Sequence, residues 1–206
     1  MVAVMLAAAL LVNAARHEVS FTATVQPSAM ARSSLLPGGV PGHHAIVWKD
    51  GGAHAHALFA ADTSDRDVRA ALDALGARRG ENLTPAAWNE RDNPRSSAPD
   101  ARVDGSAIEV FVEWRGSRGR VPLASLITER GARPRLDLRY GGNERWQKEF
   151  HSGCIVCLYS CPGGAVGNRV HPIRDYARDG VIYASVPERL PPAGTKVTLI
   201  LKVKEH

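Results

Sequence analysis

All three cysteines of this 206-residue chain, Cys154, Cys157 and Cys161, fall within eight positions of one segment, HSGCIVCLYSCPGG, running from His151 to Gly164. Any fold it adopts must therefore bring three thiols to one place. An odd number of thiols cannot all pair within one chain. The spacing Cys154-x2-Cys157-x3-Cys161-Pro162 matches the last three ligand positions of the bacterial iron–sulfur run C-x2-C-x2-C-x3-C-P. Counting back three residues from Cys154 lands on His151, so the segment reads H-x2-C-x2-C-x3-C-P. Thiolate is the usual iron ligand, and imidazole replaces it in Rieske centres. Gly153, Gly163 and Gly164 allow close backbone approach to a cluster.

Other chemistries use the same residues. Three thiolates and one imidazole make a tetrahedral structural zinc site. One disulfide with a spare thiol is a second alternative, and three simply buried cysteines a third. The chain has no second cysteine run. A single cluster would then need His151, a ligand from outside the segment, or an open iron position. Cysteines exported in an unfolded chain would meet oxidant before iron.

The segment Val2 to Val12 is apolar but too short to span a bilayer. It has the length of a signal-peptide core, and Val12-Asn13-Ala14 reads as a small-residue cleavage signal, although no basic region and no twin arginine precedes it. The expectation is an exported protein of the periplasm or cell envelope, without a membrane span once the signal is removed. The net charge is +5, yet the arginines are scattered and aromatic residues make up only 6%. Neither a charge run nor a stacking platform is present, which argues against a nucleic-acid partner.

Alternation at Val19, Phe21, Ala23 and Val25 predicts a half-buried strand. Residues 28–44 read as a Gly/Pro loop, and HAIVWKDGGAHAHALFA as two strands joined in a hairpin about Asp50-Gly51. Ser64 followed by Asp67 predicts a helix start, with Val68, Ala71, Leu72 and Leu75 on one apolar face and Gly76 as its stop. Thr84-Pro85 starts a short second helix. AIEVFVEW, RLDLRY, VIYASV and KVTLILKV read as strands. Residues 121–127 fit either a strand or a short helix. HPIRDYARDG reads as one or two helical turns closed by Gly180. The fold class is α+β, mostly antiparallel strands with a few short helices and a Cys/Gly-rich metal-binding loop.

His54 and His56, if on a strand, share a face and could hold a metal, with His43 and His44 nearby in sequence. His171, before Pro172, is another candidate for a missing ligand. Asn168 and Arg174 are placed to orient the cysteine segment by hydrogen bonds. No nucleophile elbow, calcium loop or phosphate loop is present, and no acid/base pair can be set beside the cysteines. The chain therefore reads as an electron carrier or binding module rather than an enzyme.

Six stretches, HHAIVWKDGGAHAHALF, DVRAALDALGARRGENLT, WNERDNP, LDLRYGGN, SGCIVCLYSCPGGAVGN and IRDYARDG, carry a more specific signal. Together they resemble the YdjY-like family over residues 17–203. The resemblance implies a ferredoxin-like, exported domain that binds an iron–sulfur cluster through Cys154, Cys157 and Cys161, and it implies no established reaction. It divides the chain into a signal-like segment, residues 1–15, and a domain over residues 16–206 with its Cys-rich loop at 151–168. The expected partner is a redox or envelope protein. Zinc at the same residues is the alternative cofactor.

Overall fold

The computed structural model describes residues 10–27, 30, 42–177 and 183–204. It is an α+β fold, mostly antiparallel strands with a few short helices. At its centre lies β2 (Glu18–Val25), where the alternation at Val19, Phe21, Ala23 and Val25 drives one face inward, each residue at most 2% exposed. Its long partner is β12 (Lys196–Val203), which sets Leu199 opposite Phe21 on one side and opposite Val112 of β5 (Ile108–Glu113) on the other. Beyond β5 comes the two-residue β6 (Val121–Pro122). On its other edge β2 is followed in turn by β4 (Ala57–Ala61), β3 (His44–Trp48), β9 (Cys154–Cys157), β10 (Val166–Asn168) and β8 (Leu138–Tyr140). A short β1 (Leu11–Asn13) adds to β2. Separately, β7 (Ile127–Glu129) pairs with β11 (Tyr183–Ser185).

Local signals held where they were strong. The helix α1 spans Asp65–Ala74; the Ser64 hydroxyl accepts from the Asp67 amide at 3.1 Å and donates to the Asp67 carboxylate at 2.7 Å. Its face Val68, Ala71 and Leu72 is buried, and Gly76 leaves the helix at φ +76°. Thr84 caps α2 (Pro85–Asn89) as expected. The stretch 121–127 combines β6, a turn of 3-10 helix at Leu123–Ser125 and the start of β7. The helix α3 (Glu144–Phe150), absent from the sequence reading, precedes the cysteine segment. The last helix is α4 (Arg174–Ala177), and its proposed stop at Gly180 lies outside the described residues, as do residues 1–9 of the signal-like segment and most of the Gly/Pro loop (28–29 and 31–41). No described helix is long and apolar enough to cross a membrane.

Two expectations are corrected. The strands on either side of Asp50-Gly51 exist, but they pair in parallel, not as a hairpin. The eight-residue connection carries a 3-10 turn at His54–His56 and returns the chain to the starting end of β3. The cysteine segment is also not wholly loop: Cys154–Cys157 is the fully buried strand β9, paired with β3 and β10 inside the sheet.

Two ion pairs made by one arginine tie β2 to β5. Arg120 donates to both oxygens of Glu18, at 2.6 and 3.0 Å, and to Glu113 at 3.2 Å. The Glu18 residue is 5% exposed, and its hydrogen bond to Arg120 holds its carboxyl below the ordinary value despite the opposing effect of burial. A carboxylate depressed in the folded state stabilises the protein above its unfolded pKa, and that contribution disappears as pH falls through the folded value. Glu18→Gln is expected to cost about 1–3 kcal/mol at pH 7, toward the lower end because Arg120 is partly solvated. The gap between variant and wild type should close when urea unfolding is repeated at progressively more acid pH.

Candidate functional site

The site forms where β3 and β9 run side by side. A regular strand alternates its side chains, so Cys154 and Cys157 would face opposite sides. Their pairing with β3 is irregular: His44 opposes Cys157, Ile46 opposes Val156, and Val47 opposes Cys154, with register shifts on both sides of Ile46. The bulge at Ile155 changes the alternation by one, which turns Cys154 and Cys157 toward the same side. Cys161 lies in the following turn, half-buried. The three thiols are near enough to influence one another's ionisation.

Cys154 meets an imidazole. His44 Nδ1 lies 3.4 Å from Cys154 Sγ. Burial, reinforced by the neighbouring His43 and His56, pushes the His44 pKa well below its usual value, so the ring is neutral and offers a lone pair. The thiols are held in their protonated form. For Cys157 burial dominates, followed by the hydrogen bond to Cys154. For Cys161 the bond donated to Cys157 comes first and burial second. For Cys154 the bond received from Cys157 favours the thiolate, but burial and the charges of Cys161 and Asp65 outweigh it. Cys154 and Cys157 have no exposed surface, and Cys161 is half-buried.

The surroundings fix this arrangement through the backbone. Ser152 accepts from the Cys154 amide at 3.2 Å and donates to the Gly163 carbonyl at 3.2 Å, closing the cysteine turn on itself. A Cβ at Gly164 would sit 3.1 Å from Cys157 Cβ and 3.7 Å from Cys154 Sγ. Across the site, the loop after β3 presses on the start of β9: a Cβ at Gly51 would lie 2.6 Å from Gly153 Cα, and one at Gly153 would lie 2.7 Å from Gly51 Cα.

The structure distributes the other candidate residues as follows. His151 is exposed at the left-handed C-terminus of α3 and lines a cleft of about 340 Å³ with Trp48, Asp65, Arg69 and Gln147; the imidazole in contact with a thiol is that of His44. His54 and His56 sit on the 3-10 turn and not on a strand, and His54 Nδ1 bonds the Gly51 carbonyl at 2.9 Å. His171 is buried between two carboxylates, with Nδ1 3.0 Å from Asp175 and Nε2 3.4 Å from Glu129, and its ring lies 5.7 Å from that of Tyr159. Asn168 uses its side chain on Asp137, Val170, Arg135 and Tyr183, stapling β10 to its neighbours. Arg174 clamps the Asn93, Ser96 and Asp100 region. As they stand, no three described His, Cys, Asp or Glu side chains are arranged to hold a metal ion.

The YdjY domain profile matches residues 10–202. The chain belongs to the YdjY domain family. A relative from Escherichia coli (strain K12), described as "Uncharacterized protein YdjY", is 30% identical over 163 residues, covering 79% of this chain and 68% of its own length. No solved structure matches the chain. The YdjY domain thus spans the whole strand system around the cysteines.

Adding a methyl group at the wall of the site should be felt. Gly164→Ala is expected to cost roughly 1–3 kcal/mol, because the new Cβ crowds Cys157 and the Val166 carbonyl. The check is the urea midpoint at an unchanged m value.

Proposed function

We propose that this YdjY domain is a metal–thiolate protein of the iron–sulfur type, acting as an electron carrier outside the cytoplasm rather than as an enzyme. The observation that supports this most is the neutral imidazole of His44, set 3.4 Å from Cys154 in a segment that carries all three thiols. Three cysteines and one histidine form a donor set known for both iron–sulfur and zinc centres. The ferredoxin-like spacing of Cys154, Cys157 and Cys161 favours iron. In this reading His44, and not His151, completes the donor set.

The residues fit such a group chemically. All three thiols lie on one short segment, His44 is already neutral, and Gly164 puts no side chain against Cys154 and Cys157. Binding would release the thiol protons, so affinity should rise with pH. An iron–sulfur group would supply one-electron redox chemistry. The half-buried Cys161 lies on the side from which a redox partner in the envelope could exchange electrons. Zinc held by the same residues is the second reading, favoured by the complete burial of Cys154 and Cys157, and would make the site a structural staple.

The test is iron, acid-labile sulfide and zinc content of protein purified without air. The expected outcome is iron and sulfide together, abolished in Cys157→Ser and reduced in His44→Ala but retained in His151→Ala. Zinc without sulfide would replace the iron reading with the staple. Metal loss in His151→Ala but not in His44→Ala would remove His44 from the donor set.

A further inference from the structure

The cleft of about 340 Å³ between the loop after β3, the start of α1 and the helix α3 is not used by the metal reading. Its volume is that of a small-molecule site. Its two sides differ in charge. On one side stand Asp50, after β3, and the half-buried Asp65, at the start of α1; among the described residues neither forms an ion pair. On the other side Arg69 and Lys148 share one carboxylate, that of Glu144, at 3.5 and 2.8 Å, and Arg79 approaches the same group to 3.5 Å. Arg66, at the rim, is 76% exposed and lies 3.9 Å from Asp67. Gln147 belongs to the basic side and is 3% exposed. Its Oε1 accepts from Arg69, and because a guanidinium only donates, the amide cannot be turned round. Gln147 Nε2 is thereby a buried donor with no partner among the described residues. Such a group is costly unless an acceptor reaches it.

We propose that this cleft binds a free α-amino acid with an apolar side chain. The ligand's ammonium faces Asp65 and Asp50. Its carboxylate accepts from Gln147 Nε2 and answers the positive charge of Arg69 and Lys148. Its side chain lies along Trp48, which is held in place by the main chain of Gly153: a Cβ there would sit 3.2 Å from Trp48 Cβ. Asp65 and Arg69 stand one turn apart on α1, about 5.4 Å along its axis, so opposite charges are offered at a spacing suited to a small zwitterion. A simple anion would meet the unpaired Asp50 and Asp65, and a simple cation would meet Arg69 and Lys148. A zwitterion is served by both sides, and that difference gives selectivity. Burial raises the Asp65 carboxyl above its ordinary value, and an ammonium beside it would bring it back down. The site goes beyond the metal reading and does not depend on it, since none of Cys154, Cys157, Cys161 and His44 lines the cleft.

The test is isothermal titration calorimetry of the full chain at pH 7 with L-leucine and L-phenylalanine. Two analogues of leucine, 4-methylpentanoate without the ammonium and isoamylamine without the carboxylate, are titrated beside them. The expected result is saturable binding of at least one amino acid, with both leucine analogues at least about tenfold weaker than leucine, the loss of one charge-assisted contact. Gln147→Glu still offers Arg69 an acceptor, so its urea midpoint should not fall, yet it replaces the donor by a carboxylate and should weaken amino-acid binding by at least about tenfold. Asp65→Asn should weaken the amino acid and leave 4-methylpentanoate unchanged or tighter. Absence of saturable binding by both amino acids, equal binding of leucine and either analogue, or a folded Gln147→Glu that binds like the wild type would overturn the proposal. The analogue series on the wild type decides the matter even if a variant fails to fold.

Discussion

The pairing of β3 with β9 is the constraint on which the rest of the site depends. It carries His44 across 110 positions of sequence to Cys154, and its irregular register turns Cys154 and Cys157 to the same side. A perfect ladder would bury the two thiols on opposite faces of the sheet. The same pairing creates the need for glycine where the β3 loop meets the start of β9. The chemistry is therefore set by a defect in a sheet, and the sheet around it is what keeps the defect in place.

The sheet divides the labour. On one side of β4, the long strands β2, β12 and β5 form a regular antiparallel core, fastened at the surface by Glu18 and Arg120. On the other, short strands alternate with turns, and polar side chains do the fastening: Asn168 on β10, Ser152 at the start of β9, Ser160 accepting from the Val103 amide. Short strands expose many backbone groups at their ends, and each buried one needs a partner. That is why this half is rich in buried serine, asparagine and histidine while the β2 half is rich in valine and leucine.

What the sequence made legible follows the same division. Strand β2, strand β5, strand β12 and helix α1 announce themselves through alternation or through an apolar face with a cap, both short-range signals. The parallel pairing of β3 and β4 did not, because Asp50-Gly51 is a genuine turn and only the remainder of the connection, folded as a 3-10 turn, reverses its meaning. The strand β9 was hidden because CIVC reads equally as a ligand-bearing loop and as a short apolar strand. His44 was visible only as one of four histidines around β3; nothing local distinguishes it, since its partner is reached through sheet register. His151, in step with the cysteines in sequence, is turned to the surface by the left-handed end of α3.

The contact between Gly51 and Gly153 has an evolutionary consequence. Each residue's missing Cβ is filled by the other's main chain, so no change of side chain at one position can make room for a substitution at the other. Compensating pairs, the usual mark of spatial neighbours in diverging sequences, are closed to this contact. Two positions that touch so closely should both stay glycine, and because neither varies, a search for co-varying sites would pass over this joint.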